Sequence, residues 1–264
     1  MTAFFGIFAV MAVLEFFWPR RRQVIGRLRR WPNNIAISVL NSLLLRFLIP
    51  TAAVGLAWIA SDNGWGLLNL VALPVAFEVV FGVLLLDLAI YFQHRIFHAV
   101  PILWRLHRMH HSDLEIDVTT GARFHPLEIL LSMGIKMILV LLLGPSALAV
   151  LLFEVLLNGS SMFNHANVRI PLALDKVLRV LLVTPDMHRV HHSIISNETN
   201  SNFGFCLSVW DRIFKSYKAQ PHKGHEGMTI GLEIFRNPAE HRLDKLLVQP
   251  FLSRNKQDSA IENF

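Results

Sequence analysis

Residues 87–112 read DLAIYFQHRIFHAVPILWRLHRMHHS, from Asp87 to Ser112. The stretch begins as the end of an apolar run, Leu67 to Tyr91, and becomes polar, basic and rich in histidine. An apolar segment of roughly 20 residues is long enough to cross a bilayer as a helix. His94 and His98 stand at i and i+4, and His107, His110 and His111 at i, i+3 and i+4. With about 100 degrees per residue, each set falls on one helical face. A membrane span that delivers histidines to its end is the pattern from which the rest of the chain is read.

Upstream, Thr2 to Trp18 is apolar and is followed at once by Arg20, Arg21, Arg22, Arg27, Arg29 and Arg30. Charge after the apolar run, with no small-residue cleavage site, predicts a retained anchor. The positive-inside rule then makes this arginine loop cytoplasmic. A second span is expected from about Ile35 to Ile59 and a third from Leu67 to Tyr91. Downstream, Leu127 to about Phe163 is apolar and interrupted by Gly144-Pro145, a turn signal that predicts a helical hairpin. Counting crossings places every histidine group on the cytoplasmic side. Glu15, Arg46, Glu78, Asp87, Lys136 and Glu154 lie inside apolar segments, where ionisable groups need a partner or a cavity.

Composition agrees with this picture. Of 264 residues, 53% are hydrophobic and only 17% charged, too few for the surface of a soluble domain. The formal charge of +6 fits membrane topology and lipid-surface attraction, so no nucleic-acid partner is expected. Cys206 is the single cysteine, which excludes an intramolecular disulfide and a cysteine metal cage.

None of the 13 histidines precedes His94. His188, His191 and His192 repeat the i, i+3, i+4 spacing, His125 and His165 stand singly, and His222, His225 and His241 lie in a polar C-terminal segment. Eight clustered imidazoles exceed the capacity of one metal site with an open position, so two first-row metals are the simpler account. The His-Glu-x-x-His zinc-protease pattern is absent. Haem ligands and transport relays would sit within the spans rather than at their ends.

The order of these motifs resembles the fatty acid hydroxylase and sterol desaturase superfamily of membrane di-iron oxygenases, from about Val79 to Tyr217. The resemblance is carried by Asp87-x6-His94-Arg95-x2-His98, Leu103-Trp104-x2-His107-x2-His110-His111-Ser112 and Arg123-x-His125-Pro126-x-Glu128. It continues through Asn164-His165-Ala166-Asn167, Thr184-Pro185-x2-His188-x2-His191-His192 and Asn202-Phe203-Gly204-x5-Trp210-Asp211-Arg212. Acyl-CoA desaturases share the general logic but have a longer first box.

The resemblance implies that His94, His98, His107, His110, His111, His188, His191 and His192 bind two iron ions, with zinc possible in preparations. It implies the same role for His165, while His125 is open as a ligand, a neighbour of the ligands or a substrate contact. Where some relatives carry a further histidine, this chain has Ser161. Asp87 shares a helical face with His94 and is expected to accept the second N–H of a ligand histidine. Asp186 and Asn202 are comparable candidates, and Trp210, Asp211 and Arg212 are expected to secure the C-terminal segment.

The expected fold is all-α, a multi-span helical membrane protein with a cytoplasmic helical cap carrying a dimetal site. Residues 1–66 supply N-terminal spans and the arginine loop, 67–217 the catalytic domain and 218–264 a polar tail. The implied activity is dioxygen-dependent hydroxylation or desaturation of a lipid, in a bacterial inner membrane. No flavin, haem or nicotinamide signature is evident, so electrons come from an external ferredoxin or cytochrome-like donor. The competing class is a non-enzymatic metal-binding membrane protein, a transporter or sensor.

Overall fold

The computed structural model describes residues 2–253. Helices α1 (Thr2–Phe17), α2 (Arg27–Leu48), α3 (Ala52–Asp62), α4 (Val75–Ala99), α5 (Pro101–His111), α6 (Pro126–Leu143) and α7 (Ala147–His165) form the body. Short helices α8 (Leu172–Leu178), α9 (Pro185–His191), α10 (Ser196–Thr199) and α11 (Val209–Ile213) belong to the cap. Among the described residues there is no strand, and extended pairing is limited to isolated bridges such as Pro19 with Val168 and Leu182 with Leu207.

Four stretches are long and apolar enough to cross a membrane: Arg27–Leu70, Val75–Ala99, Pro126–Leu143 and Ala147–His165. The first is broken. Proline lacks an N–H and its ring crowds the preceding turn, so α2 stops at Leu48 and the chain restarts at Ala52 beyond Pro50. The third expected span shifts by eight residues, because Pro74 sets the start of α4 at Val75. Nothing breaks the helix after Tyr91, so α4 runs on until Pro101 forces Val100 into an extended conformation. His94 and His98 therefore ride on the span itself.

The Gly144-Pro145 turn forms as expected. Gly144 adopts φ 66°, closing α6, and Ser146 caps α7 by accepting the Ala149 N–H at 3.2 Å. A Cβ on Gly144 would lie 2.5 Å from the Trp65 carbonyl oxygen, so glycine is required twice over. Glu78 accepts the Ser146 N–H at 2.7 Å, and Lys136 meets Glu154 at 2.6 Å across the hairpin. Two of the intramembrane carboxylates thus have partners, as burial in lipid demands. The apolar core joins Ala53 and Ala57 of α3, Leu86 and Ile90 of α4, Val140 of α6 and Val150 and Phe153 of α7. Small residues on α3 let the backbones approach closely.

The N-terminal arginines are used within the fold as well as on its surface. Buried Arg30 donates twice to Asp113, at 2.8 Å each, and to Asp117 at 2.5 Å. Arg123 reaches Asp113 from the other side at 3.2 Å. The C-terminal segment, expected as a polar tail, packs onto the cap through its described part. Leu246 joins Ile37 and Met109, while Met228 and Ile230 join Ile116. His225 and His241 are buried there.

Candidate metal centre

The ends of α4 and α7, the whole of α5 and the start of α6 meet at one end of the bundle, and α9 closes over them. Nine histidines converge there, all buried. His94, His98, His107, His111 and His191 form one group, and His110, His165, His188 and His192 form the other. Within each group the ligating nitrogens lie within 4.8 Å of one another. The helical spacing explains the division. In α5 the i, i+4 pair His107 and His111 serves the first group while His110 points to the second. In and just after α9 the assignment is reversed: His188 and His192 serve the second group and His191 the first.

The hydrogen bonds fix the tautomers. Nδ1 of His94 donates to the Phe203 carbonyl at 2.9 Å, that of His191 to the Ser201 carbonyl at 2.7 Å and that of His165 to the Ser161 carbonyl at 2.7 Å. His110 donates to the Arg123 carbonyl at 3.1 Å, His98 faces Asn200 Oδ1 at 3.2 Å and His107 faces Glu128 Oε1 at 2.6 Å. A carbonyl only accepts, so the proton sits on Nδ1 and Nε2 presents a lone pair.

Those lone pairs face each other. His94 Nε2 lies 3.0 Å from His191 Nε2, and His165 Nε2 lies 3.1 Å from His110 Nε2. Neither pair has a proton to share, so each contact is repulsive unless a cation stands between. Imidazole nitrogens sit about 2.0–2.1 Å from a first-row metal such as zinc, which puts two neighbouring ligands about 3 Å apart. Nε2 of His98, His107 and His111 is also buried without a protein partner. The donor set fits two metal ions.

Burial also keeps the ligands neutral. Desolvation, then neighbouring histidines, hold His110, His111, His188 and His192 well below the ordinary imidazole range, and His191 is pushed down to about 3. Neutral imidazole is the form that binds metal. Phe124 stacks on His110 with centroids 4.4 Å apart, and Trp104 packs beside His98 at 4.8 Å, so aromatic walls exclude water.

Two expected positions differ. His125 is in neither group: it caps α6, accepting the Leu127 N–H at Nδ1, while Nε2 lies 3.2 Å from the Leu247 carbonyl oxygen. Both of its nitrogens are engaged away from the cluster. Asp87 does not touch His94. Seven residues along a helix is about 10 Å of rise, so a shared face does not bring contact. Asp87 instead accepts from the Cys206 and Leu207 N–H groups at 3.2 Å each and from Trp210 Nε1 at 2.8 Å. It anchors the segment after Phe203, whose carbonyl orients His94.

Asp186 pairs with Arg189 and with Arg20 at 3.1 Å, tying the N-terminal arginines to α9. Asn202, at φ 53°, bonds to the Met187 and Lys218 carbonyls and holds the turn that presents Ser201 and Phe203. Asp211 accepts from the Phe203 and Gly204 N–H groups, so it secures that same turn. Glu128 was visible only as part of a motif. Its carboxylate on the first turn of α6 is the sequence feature that marks it, but the partner His107 is 21 residues away.

The sequence model of the fatty acid hydroxylase family matches residues 79–216, just over half of the chain. Among curated proteins, an ornithine lipid hydroxylase from Rhizobium tropici is 28% identical over 185 residues, 70% of this chain and 54% of that protein. Alkylglycerol monooxygenases match over shorter stretches. The human protein is 33% identical over 56% of this chain, and the Danio rerio protein 30% identical over 56%; each match covers 32% of that relative. The matched region spans about half or less of these relatives' lengths. No solved structure gives a significant match.

Proposed function

Because the chain belongs to the fatty acid hydroxylase family, we propose that it is a membrane di-iron monooxygenase that hydroxylates a C–H position of a polar lipid. The observation that carries this reading is the pairing of unprotonated Nε2 atoms around two points, with nine buried histidines at the end of apolar helices. Relatives named for ornithine lipid and alkylglycerol support a polar lipid as substrate. Balance requires that R–H, dioxygen, two electrons and two protons give R–OH and water.

Two irons in these groups would supply the dioxygen activation needed to take hydrogen from an unactivated carbon. The chain's own residues set up that chemistry. His94, His98, His107, His111 and His191 hold one ion, and His110, His165, His188 and His192 the other. The carbonyls of Phe203, Ser201, Ser161 and Arg123 keep the rings aimed, and Glu128 makes His107 a more basic donor. Trp104 and Phe124 limit water around the ligands. Lipid enters laterally from the bilayer, since the centre sits where the spans end.

The electrons come from a separate, acidic carrier. From Met187 to Glu226 the acids Glu198 and Asp211 are buried and Glu226 is exposed, against exposed Arg212, Lys215 and Lys223, so the exposed balance is positive. The surface over the third histidine box is therefore basic, which favours an acidic partner. The exposed Arg22 and Arg29 at the same end support a cytoplasmic orientation.

The test is turnover by the purified full chain, reconstituted with iron in vesicles of bacterial polar lipids, with a chemical reductant and 18O-labelled dioxygen. One lipid should gain a single labelled oxygen, and none should under nitrogen. Two tightly held metals with no dioxygen-dependent change in any lipid would overturn the oxygenase reading and favour the metal-binding rival.

A further inference from the structure

Helix α8 is built inside out. Two charged residues point inward: Asp175 is 3% exposed and Arg179, at the C-cap, 6%, and the two are paired with each other, while Lys176 is exposed. Arg179 also donates to the Ala219 carbonyl at 2.8 Å, and its own carbonyl accepts from Ser208 and Arg212. The apolar residues point outward: Leu172 is 65% exposed, Val177 69% and Val180 63%. Leu174 and Leu181 are exposed beside them. In water this arrangement is reversed from the expected one, and a contiguous apolar patch of this kind marks an interaction surface.

The neighbouring chain indicates what covers it. Segment 166–169 leaves the end of membrane helix α7 and pairs with the end of α1, through the Pro19–Val168 bridge and the Arg169 N–H to Trp18 carbonyl bond at 2.9 Å. Phe16, Phe17 and Trp18 are all exposed at that junction. The patch thus follows, within a few residues of chain, a segment paired to the exposed aromatic end of α1. Exposed Arg169 precedes it and exposed Lys176 lies within it, as long-stemmed cations do where a segment lies at headgroup depth. A tryptophan at the same level is the usual interfacial residue.

We propose that residues 171–182 form an in-plane element embedded in the bilayer interface, its apolar face covered by lipid acyl chains. This element directly precedes α9, which begins at Pro185 and carries His188 and His191. It fixes the depth at which the cap meets the lipid, so the metal centre stands at headgroup level. The inference deepens the lipid-oxidising reading but concerns a surface whose contact with lipid can be measured without turnover.

The experiment places a single cysteine at Val177 or, separately, at Val180 in a Cys206→Ser background, with Lys223→Cys as the water-facing control. Each is labelled with an environment-sensitive fluorophore in the full chain, reconstituted in phosphatidylcholine–phosphatidylglycerol vesicles. At 177 and 180 the expected result is a blue-shifted emission, strong quenching by shallow spin-labelled lipid and little quenching by iodide. Position 223 should show the opposite. Iodide quenching at 177 and 180 equal to that at 223 would overturn the proposal. So would shielding from both quenchers with a cysteine 177 cross-link between two chains, which assigns the patch to a second copy. Because no step uses catalysis, a protein that oxidises no lipid can still pass, and an active one can fail.

Discussion

His107 Nδ1 lies 2.6 Å from Glu128 Oε1, with both side chains buried, and this contact joins α5 to the first turn of α6. The carboxylate fixes the ring of one histidine in the first group and makes its Nε2 a stronger donor. Glu128→Ala removes that support. It should weaken metal retention by about 10–100-fold while the helical content stays unchanged. Glu128→Gln keeps an acceptor without the charge and should fall between the two. Competition with a graded chelator series reads the effect, and equal retention in all three proteins would remove Glu128 from any role at the site.

Adjacent histidines in α5 aim at different groups, His110 at the second and His111 at the first. Alanine at either position should abolish lipid oxidation. Metal analysis should then give about one ion per chain in each variant, against two in the parent, because the other group keeps its ligands. The double variant should retain neither. The assignment fails if His110→Ala and His111→Ala together leave one ion firmly bound, since both would then belong to one group.

Much of this centre was legible in the sequence because i, i+3 and i+4 spacing is a property of the helix itself. His94, His98 and the two triplets needed no tertiary information to be grouped, and Gly144-Pro145 gave the hairpin by local turn chemistry. The division into two groups was not legible, since it depends on how α5 and α9 face each other. Glu128, Asn200 and the carbonyls of Ser201 and Phe203 reach the histidines only through chain packing. Asp87 misled for a related reason: periodicity names a face, but the neighbour on that face comes from the fold. The C-terminal histidines show the same limit, since polar flanking sequence hid the burial of His225 and His241.

Asp87 accepts three hydrogen bonds from the 206–210 segment, and none of them goes to a histidine. Asp87→Ala would leave Trp210 Nε1 and two backbone N–H groups without their acceptor. The cost should be on the order of 3 kcal/mol, read as a lower unfolding temperature in detergent. Chain that remains folded should still bind two metals, because His94 keeps its own partner at Phe203. Loss of metal with an unchanged unfolding temperature would instead tie Asp87 directly to the site.

His241 gives the fold a pH dependence with a definite sign. Its Nε2 donates to the Phe235 carbonyl at 2.8 Å and its Nδ1 accepts from Arg123 at 3.1 Å, so both nitrogens are used by the neutral ring. Burial comes first, and the Arg123 guanidinium second, in pushing its pKa down to about 4, against the opposing pull of Asp113. Arg30 and Arg123 in turn hold Asp113 well below the usual carboxylate range, so that partner stays charged. The unfolded chain takes up the proton near 6.5 and the folded chain only near 4. Stability from the neutral ring is therefore complete above about pH 6.5 and is lost as pH falls toward 4, by up to about 3 kcal/mol. His241→Gln can still accept from Arg123 and donate to Phe235 but does not titrate. Its unfolding temperature should fall less steeply between pH 6.5 and 4 than that of the parent. Parallel slopes for the two proteins would show that the acid sensitivity of the fold arises elsewhere.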